Sequence, residues 1–127
     1  MTKKELEAAL VLRRRLTRLE NSLADIRATG GIKSSSGNST RAGAGIGPGQ
    51  IAAELEDEIA ELRKKYEIER EIIRRSLEKV EFEELERKLM VMRYVDCMPW
   101  KNIQIIISYQ KTQAYDLHRR ALSKILV

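Results

Sequence analysis

Residues 89–126 read LMVMRYVDCMPWKNIQIIISYQKTQAYDLHRRALSKIL, and the fold turns on how this stretch divides. Pro99 cannot sit inside a helix running on from Leu89, because it has no amide hydrogen and its ring collides with the preceding turn. It is well placed to open a new helix at its first turn. Phe82, Leu85, Leu89, Met92 and Val95 therefore mark one apolar face of a first helix. Trp100, Ile103, Ile106 and Ile107 form the apolar side of a second. Ser108, Tyr109 and Gln110 make a short polar break. A last helix is expected from about Lys111, with Ala114, Leu117, Ala121, Leu122 and Ile125 on its inner face. Two short helices joined by so few residues have helix-turn-helix geometry.

In such a unit the second helix enters the major groove with its N-terminal residues facing base edges. Lys111, Thr112 and Gln113 stand there. Gln can bond adenine and Lys guanine, so these three are candidates for base or phosphate contact; the alternative is an ordinary polar helix start. Arg119, Arg120 and Lys124 lie further along and suit phosphates better than bases, or else form a solvated basic face. Tyr115 either reaches a phosphate or covers the edge of the core. Lys101, on the preceding helix, completes the candidate set. From Pro99 to Val127 there are five Lys or Arg and one acid, Asp116. Repulsion from phosphate makes Asp116 a poor contact unless Arg119 or Arg120 pairs with it. Trp100 reads as a core anchor rather than a base-stacking group.

The same stretch resembles region four of bacterial sigma factors. The shared landmarks are Arg93-Tyr94 at the end of a leucine-rich helix, Pro99-Trp100 followed by Ile103, and Arg120-Ala121-Leu122 with Lys124. The resemblance implies a three-helix DNA-binding unit and, because such units also touch it, RNA polymerase as a further partner. Gln104 stands where that pattern usually has Ala, Ser108 where it often has Gly or Asn, and Gln110 where a serine commonly caps the last helix. The wider layout, a helical N-terminal region with a Gly/Ser-rich insert, is similar to small regulators carried by phages and prophages of Gram-positive bacteria.

All seven glycines lie between Gly30 and Gly49, which marks residues 30–50 as a flexible linker. A phosphate-binding loop is the rival reading, but no Gly-Lys-Ser/Thr occurs there. Before the linker, residues 3–28 are expected to form one helix, capped by Thr2 with Glu5 in a capping box. Ala9, Leu12, Leu16, Leu19, Leu23 and Ile26 make a heptad seam. Arg13, Arg14, Arg15 and Arg18 read as a solvated face, partly paired with acids on a partner helix, with a DNA-tracking cluster as the alternative. After the linker, residues 51–79 are expected to form a second long helix. Its seam is Leu55, Ile59, Leu62, Tyr66, Ile73 and Val80, widened by Ile68, Ile72 and Leu77. Acids crowd this helix and arginines the first, so the two should pack together. A linker spanning about 25 Å closes an antiparallel hairpin easily.

The reading is thus all-α. A long, coiled-coil-like helical hairpin over 1–80 precedes a sigma-region-four-like helix-turn-helix unit over 81–127. Charged residues make up 34% of the chain and aromatics 5%, which suits narrow apolar stripes rather than a broad aromatic core. A net charge of +5 favours an anionic partner weakly. One cysteine, Cys97, allows no intrachain disulfide, and one histidine, His118, cannot complete a zinc site with it. No cofactor or metal is expected, and an enzyme is the least expected class. No apolar run suits a signal peptide or a membrane span, so the expected compartment is the cytoplasm of a bacterial host, at its nucleoid. The expected activity is sequence-specific binding of double-stranded DNA by a homodimer or higher homo-oligomer that regulates transcription. The rivals are a small-terminase-type subunit of phage DNA packaging and a protein-only adaptor for RNA polymerase.

Overall fold

The computed structural model describes residues 1–30 and 47–126, and all regular structure among them is helical. Most of the linker expected at 30–50 lies outside the described residues. The elements are α1 (Lys3–Leu6), α2 (Ala8–Gly30), α3 (Pro48–Glu78), α4 (Glu84–Met90), α5 (Trp100–Ile107) and α6 (Lys111–Ile125). Val91–Val95 continue α4 as one wider π turn, closed by the Asp96 amide donating to the Val91 carbonyl at 2.9 Å.

The first helix starts as its capping box dictates. The Glu5 amide donates to Thr2 Oγ1 at 3.1 Å, and the Thr2 amide donates to Glu5 Oε1 at 2.9 Å. The single helix expected over 3–28 is interrupted at Glu7, and its second part runs to Gly30. Likewise α3 begins at Pro48 rather than 51, since proline costs nothing at a first helical position where the amide has no partner.

The chain divides into two compact units, and the division differs from the boundary expected at 80/81. One unit joins Met1–Arg13 to Tyr66–Val127; the other is Arg14–Lys65. The reason is burial at the ends of the long helices. Leu6 and Ala9 near the N-terminus, and Ile73 and Leu77 near the end of α3, are almost wholly buried with the core of α4–α6. The terminal ammonium lies 3.5 Å from the Ile125 carbonyl.

In the Arg14–Lys65 unit, Leu16, Leu23, Ile59 and Leu62 are buried, as the heptad seams require. Arg63 bonds Glu20 at 2.6 Å and Arg27 pairs with Glu56, so the partners advance along α2 as they retreat along α3. Ile68 and Ile72 do not widen the apolar stripe: they are exposed, at 59% and 48%.

In the other unit α4 packs on α5 and α6. Leu89, Ile103, Ala114, Leu117 and Ala121 meet in its core. Two arginines tie the connections to this core. Arg87 donates to the Leu77 and Val80 carbonyls at 2.7 and 2.6 Å, adding to the Val80 amide that already closes the turn on Leu77 at 3.2 Å. Arg70 donates to the Val95 carbonyl at 2.7 Å and pairs with Asp96 at 3.3 Å. Charged donors make the stronger class of bond to carbonyls, so Arg87→Met should destabilise the chain by about 2–3 kcal/mol. Urea denaturation read by circular dichroism measures this, with Arg75→Met, at an exposed position, as the control that shifts little.

Candidate nucleic-acid interface

α5 ends at Ile107, and Ser108 turns the chain with φ 59° and ψ 37°. This left-handed conformation costs a side-chain-bearing residue about 1 kcal/mol, which is why Gly or Asn is easier there. Tyr109 follows, and Gln110 enters α6 in extended conformation. The entry to α6 is closed by a reciprocal device: the Gln110 amide donates to Gln113 Oε1 at 3.0 Å. Gln113 is exposed and keeps its amide group and one carbonyl lone pair available.

Lys111, Thr112 and Gln113 all lie exposed on the first turn of α6. Tyr115 is 39% exposed; it packs edge-on to Trp100 with centroids 5.6 Å apart, and the Lys111 ammonium stands 5.8 Å from its ring centre. It therefore covers the core edge and still offers its outer side. Lys101 is exposed on α5, as are Arg119 and Arg120 on α6. Asp116 meets Arg119 at 3.3 Å, which offsets the one acid of this face; the pair is exposed and worth little to stability. The helix dipole adds partial positive charge at Lys111–Gln113.

Lys124 departs from its expected role. Its ammonium is bound to Glu86 of α4, whose side chain is only 1% exposed. Glu86 Oε1 also accepts from the Glu83 amide at 2.8 Å. Burial raises the pKa of this carboxyl, but the Lys124 bond, the Glu83 amide and the nearby Arg120 charge outweigh it and hold it below the ordinary value. Glu86 Oε2 is buried without a hydrogen-bond partner. Lys124 thus ties α6 to α4, with part of its side chain still exposed. Within the run EFEELERK, nothing local distinguishes Glu86 from its solvated neighbours. Ile106, expected on the inner side of α5, is also displaced outward: it is 46% exposed, and Ile105 is 70% exposed.

His118 is the polar centre of the unit. Its Nε2 lies 2.6 Å from the Tyr94 hydroxyl, its ring stacks on Tyr94 at 5.7 Å, and Trp100 meets it edge-on at 4.6 Å. Arg93 lies over the other part of Trp100 at 5.0 Å and donates to the Met98 carbonyl at 2.9 Å. These contacts give Arg93-Tyr94 and Trp100 their physical roles. Burial, with the charges of Arg93 and Lys3, lowers the His118 pKa to about 4. Burial also raises Tyr94 to about 12 and pushes the Cys97 thiol upward, so both are protonated near neutrality. Among the described residues no group of three or more His, Cys, Asp or Glu could hold a metal ion, and no helix is long and apolar enough to cross a membrane.

Comparison with protein-family models, curated proteins and solved structures finds no match.

Two outcomes follow from these pairs. Lys124→Ala leaves a buried carboxylate without its cation and should cost about 1.5–3 kcal/mol, whereas Glu86→Leu with Lys124→Leu should cost less. Thermal unfolding of the three chains separates this structural role from a ligand-binding one. For His118, the unfolded state takes up a proton below about pH 6.5 that the folded state refuses until about pH 4. Stability is therefore full above pH 6.5 and falls as the pH drops, by up to about 2 kcal/mol between pH 7 and 5. Denaturation at the two pH values should show this loss in the native chain and a smaller one in His118→Gln.

Proposed function

We propose that this chain is a sequence-specific double-stranded-DNA-binding protein that regulates transcription, with α5, the Ser108–Gln110 turn and α6 as its helix-turn-helix. The observation that carries the reading is the first turn of α6. Lys111, Thr112 and Gln113 are exposed together there, separated from the end of α5 by three residues, on a helix anchored to α4 by its opposite face. A major groove about 12 Å wide admits such a helix, and these side chains supply the donors that base edges accept. Arg119, Arg120 and Lys101 would lie toward phosphates, and Tyr115 can donate to one. Arg119 lessens the repulsion that Asp116 would bring to a DNA surface. Lys124, engaged by Glu86, is left out of the contact set.

On the same reading α2 and α3 serve self-association or contact with another protein. Compartment and replicon follow from it too: a regulator of this kind works in the cytoplasm of a phage-bearing bacterium. A second reading, the adaptor that engages RNA polymerase through this unit, is favoured by one observation. Ile105 and Ile106 present apolar surface on α5, where a phosphate backbone offers nothing apolar to meet.

Selection from random-sequence duplexes, followed by fluorescence-anisotropy titration of the enriched sequence, tests the first reading. A defined motif should emerge, with binding that weakens steeply with salt. Lys111→Ala with Gln113→Ala should raise Kd about tenfold to a hundredfold on that motif and little on unrelated duplexes. Equal, feeble binding to every duplex, unchanged by the double substitution, contradicts it.

A further inference from the structure

The arginines of α2 are not equivalent. Arg27 pairs with Glu56 of α3, and Arg13 lies over the Tyr66 ring at 6.0 Å. Arg14, Arg15 and Arg18 are exposed, and among the described residues no acid lies within ion-pair distance of any of them. Residues 31–46 carry no acidic side chain either. On α3 the opposite holds: every Arg or Lys except Lys65 has an acid within 3.8 Å.

Residue order dictates this difference. Arg14 and Arg18 stand one helical turn apart, and Arg15 stands beside both. All three therefore share the face of α2 opposite Leu16 and Leu23, which are buried. No acid occupies any position three or four residues from any of the three. Their only charged neighbours at those spacings are one another, and like charges so placed weaken a helix. A solvated helix face interleaves the two signs, as α3 does.

We infer that Arg14, Arg15 and Arg18 take the phosphate backbone of double-helical DNA, without reading bases. A phosphate polyanion compensates all three charges at once and releases its condensed counterions, which is the term that dominates sequence-independent binding. Other anionic partners fit this face less well. An acidic protein would gain only exposed ion pairs, worth little each. From Arg14 to Ala28, α2 exposes no large apolar side chain that could close such an interface. A single strand is held by stacking its bases on aromatic rings, and α2 has none. A membrane surface takes up the apolar face of a basic helix, and here that face is buried through Leu16 and Leu23. The contact goes beyond the reading of α6 and stands without it, since it involves no base edge.

Fluorescence-anisotropy titrations of the full chain on labelled duplexes of unrelated sequence, between about 50 and 200 mM salt, test this. Arg14→Gln with Arg15→Gln and Arg18→Gln should reduce the steepness of log K against log salt by about 2–3, one unit per phosphate contact, on every duplex alike. Glutamine is close to arginine as a helix former, so circular dichroism should show the helix content kept. Lys64→Gln with Arg74→Gln and Arg75→Gln removes the same charge from cations already paired, and should change the steepness by less than about 1. Lysine at positions 14, 15 and 18 should restore the native steepness, because the charge is kept. A native chain that binds no duplex, unchanged binding in the first variant, or an equal loss in both triple variants overturns the proposal. Displacement of the duplex by poly-glutamate at matched charge overturns it in favour of an acidic protein. The two DNA contacts fail separately. Loss of steepness in the arginine variant, with no motif selected from random duplexes, contradicts the α6 reading alone. A selected motif whose salt dependence that variant leaves unchanged contradicts this one alone.

Discussion

His118 lies between two aromatic rings, hydrogen-bonded to Tyr94 on one side and met edge-on by Trp100 on the other, with Arg93 stacked beyond Trp100. This single layer joins the π turn after α4, the start of α5 and the middle of α6. Each member is constrained by the next: Arg93 is held by the Met98 carbonyl, Tyr94 by the imidazole, and Trp100 by both neighbours. The layer also keeps the imidazole neutral, since a charged ring would be desolvated beside Arg93. The outward position of Lys111–Gln113 depends on it, because Tyr115 packs against Trp100 within one turn of those residues.

A second constraint works from the opposite side of α6. The buried Glu86 carboxylate of α4 is paired with Lys124 of α6, whose side chain stays partly exposed. A buried carboxylate that loses its cation is left with an uncompensated charge, so this pair penalises any arrangement that separates α6 from α4. The aromatic layer and this pair bracket α6 and fix both its rotation and its height on α4. The exposed face is therefore a consequence of what the buried face must satisfy. The same logic links the N-terminus to this unit: Leu6 and Ala9 are buried there, and Lys3 lies near enough to His118 to affect its charge.

Much of this was legible in residue order alone. The Thr2–Glu5 capping box, the seams through Leu16, Leu23, Ile59 and Leu62, and the break at Pro99 are local or periodic signals, and each is present where periodicity places it. Other features were not legible, because they depend on partners distant in the chain. Glu86 sits in an acidic run whose other members are solvated, and only its meeting with Lys124, 38 residues away, makes it a core residue. Ile106 has the spacing of an inward residue, yet on a helix as short as α5 the core takes Ile103 and Ile107 and leaves Ile105 and Ile106 outside. Gln110 looked like a poor cap because the compensating group is the side chain of Gln113. The candidate contacts at 111–113 were readable as a position; that Lys124 is engaged elsewhere was not.

Under the proposed function the first turn of α6 reads a duplex. The most direct measurement is amide chemical-shift mapping by NMR, with the isotope-labelled chain titrated with its selected duplex. The largest changes should fall at Lys111, Thr112 and Gln113, smaller ones at Lys101, Tyr115, Arg119 and Arg120, and little at Lys124. Changes confined to Ile105 and Ile106, or to the arginines of α2, with α6 unaffected, would contradict it.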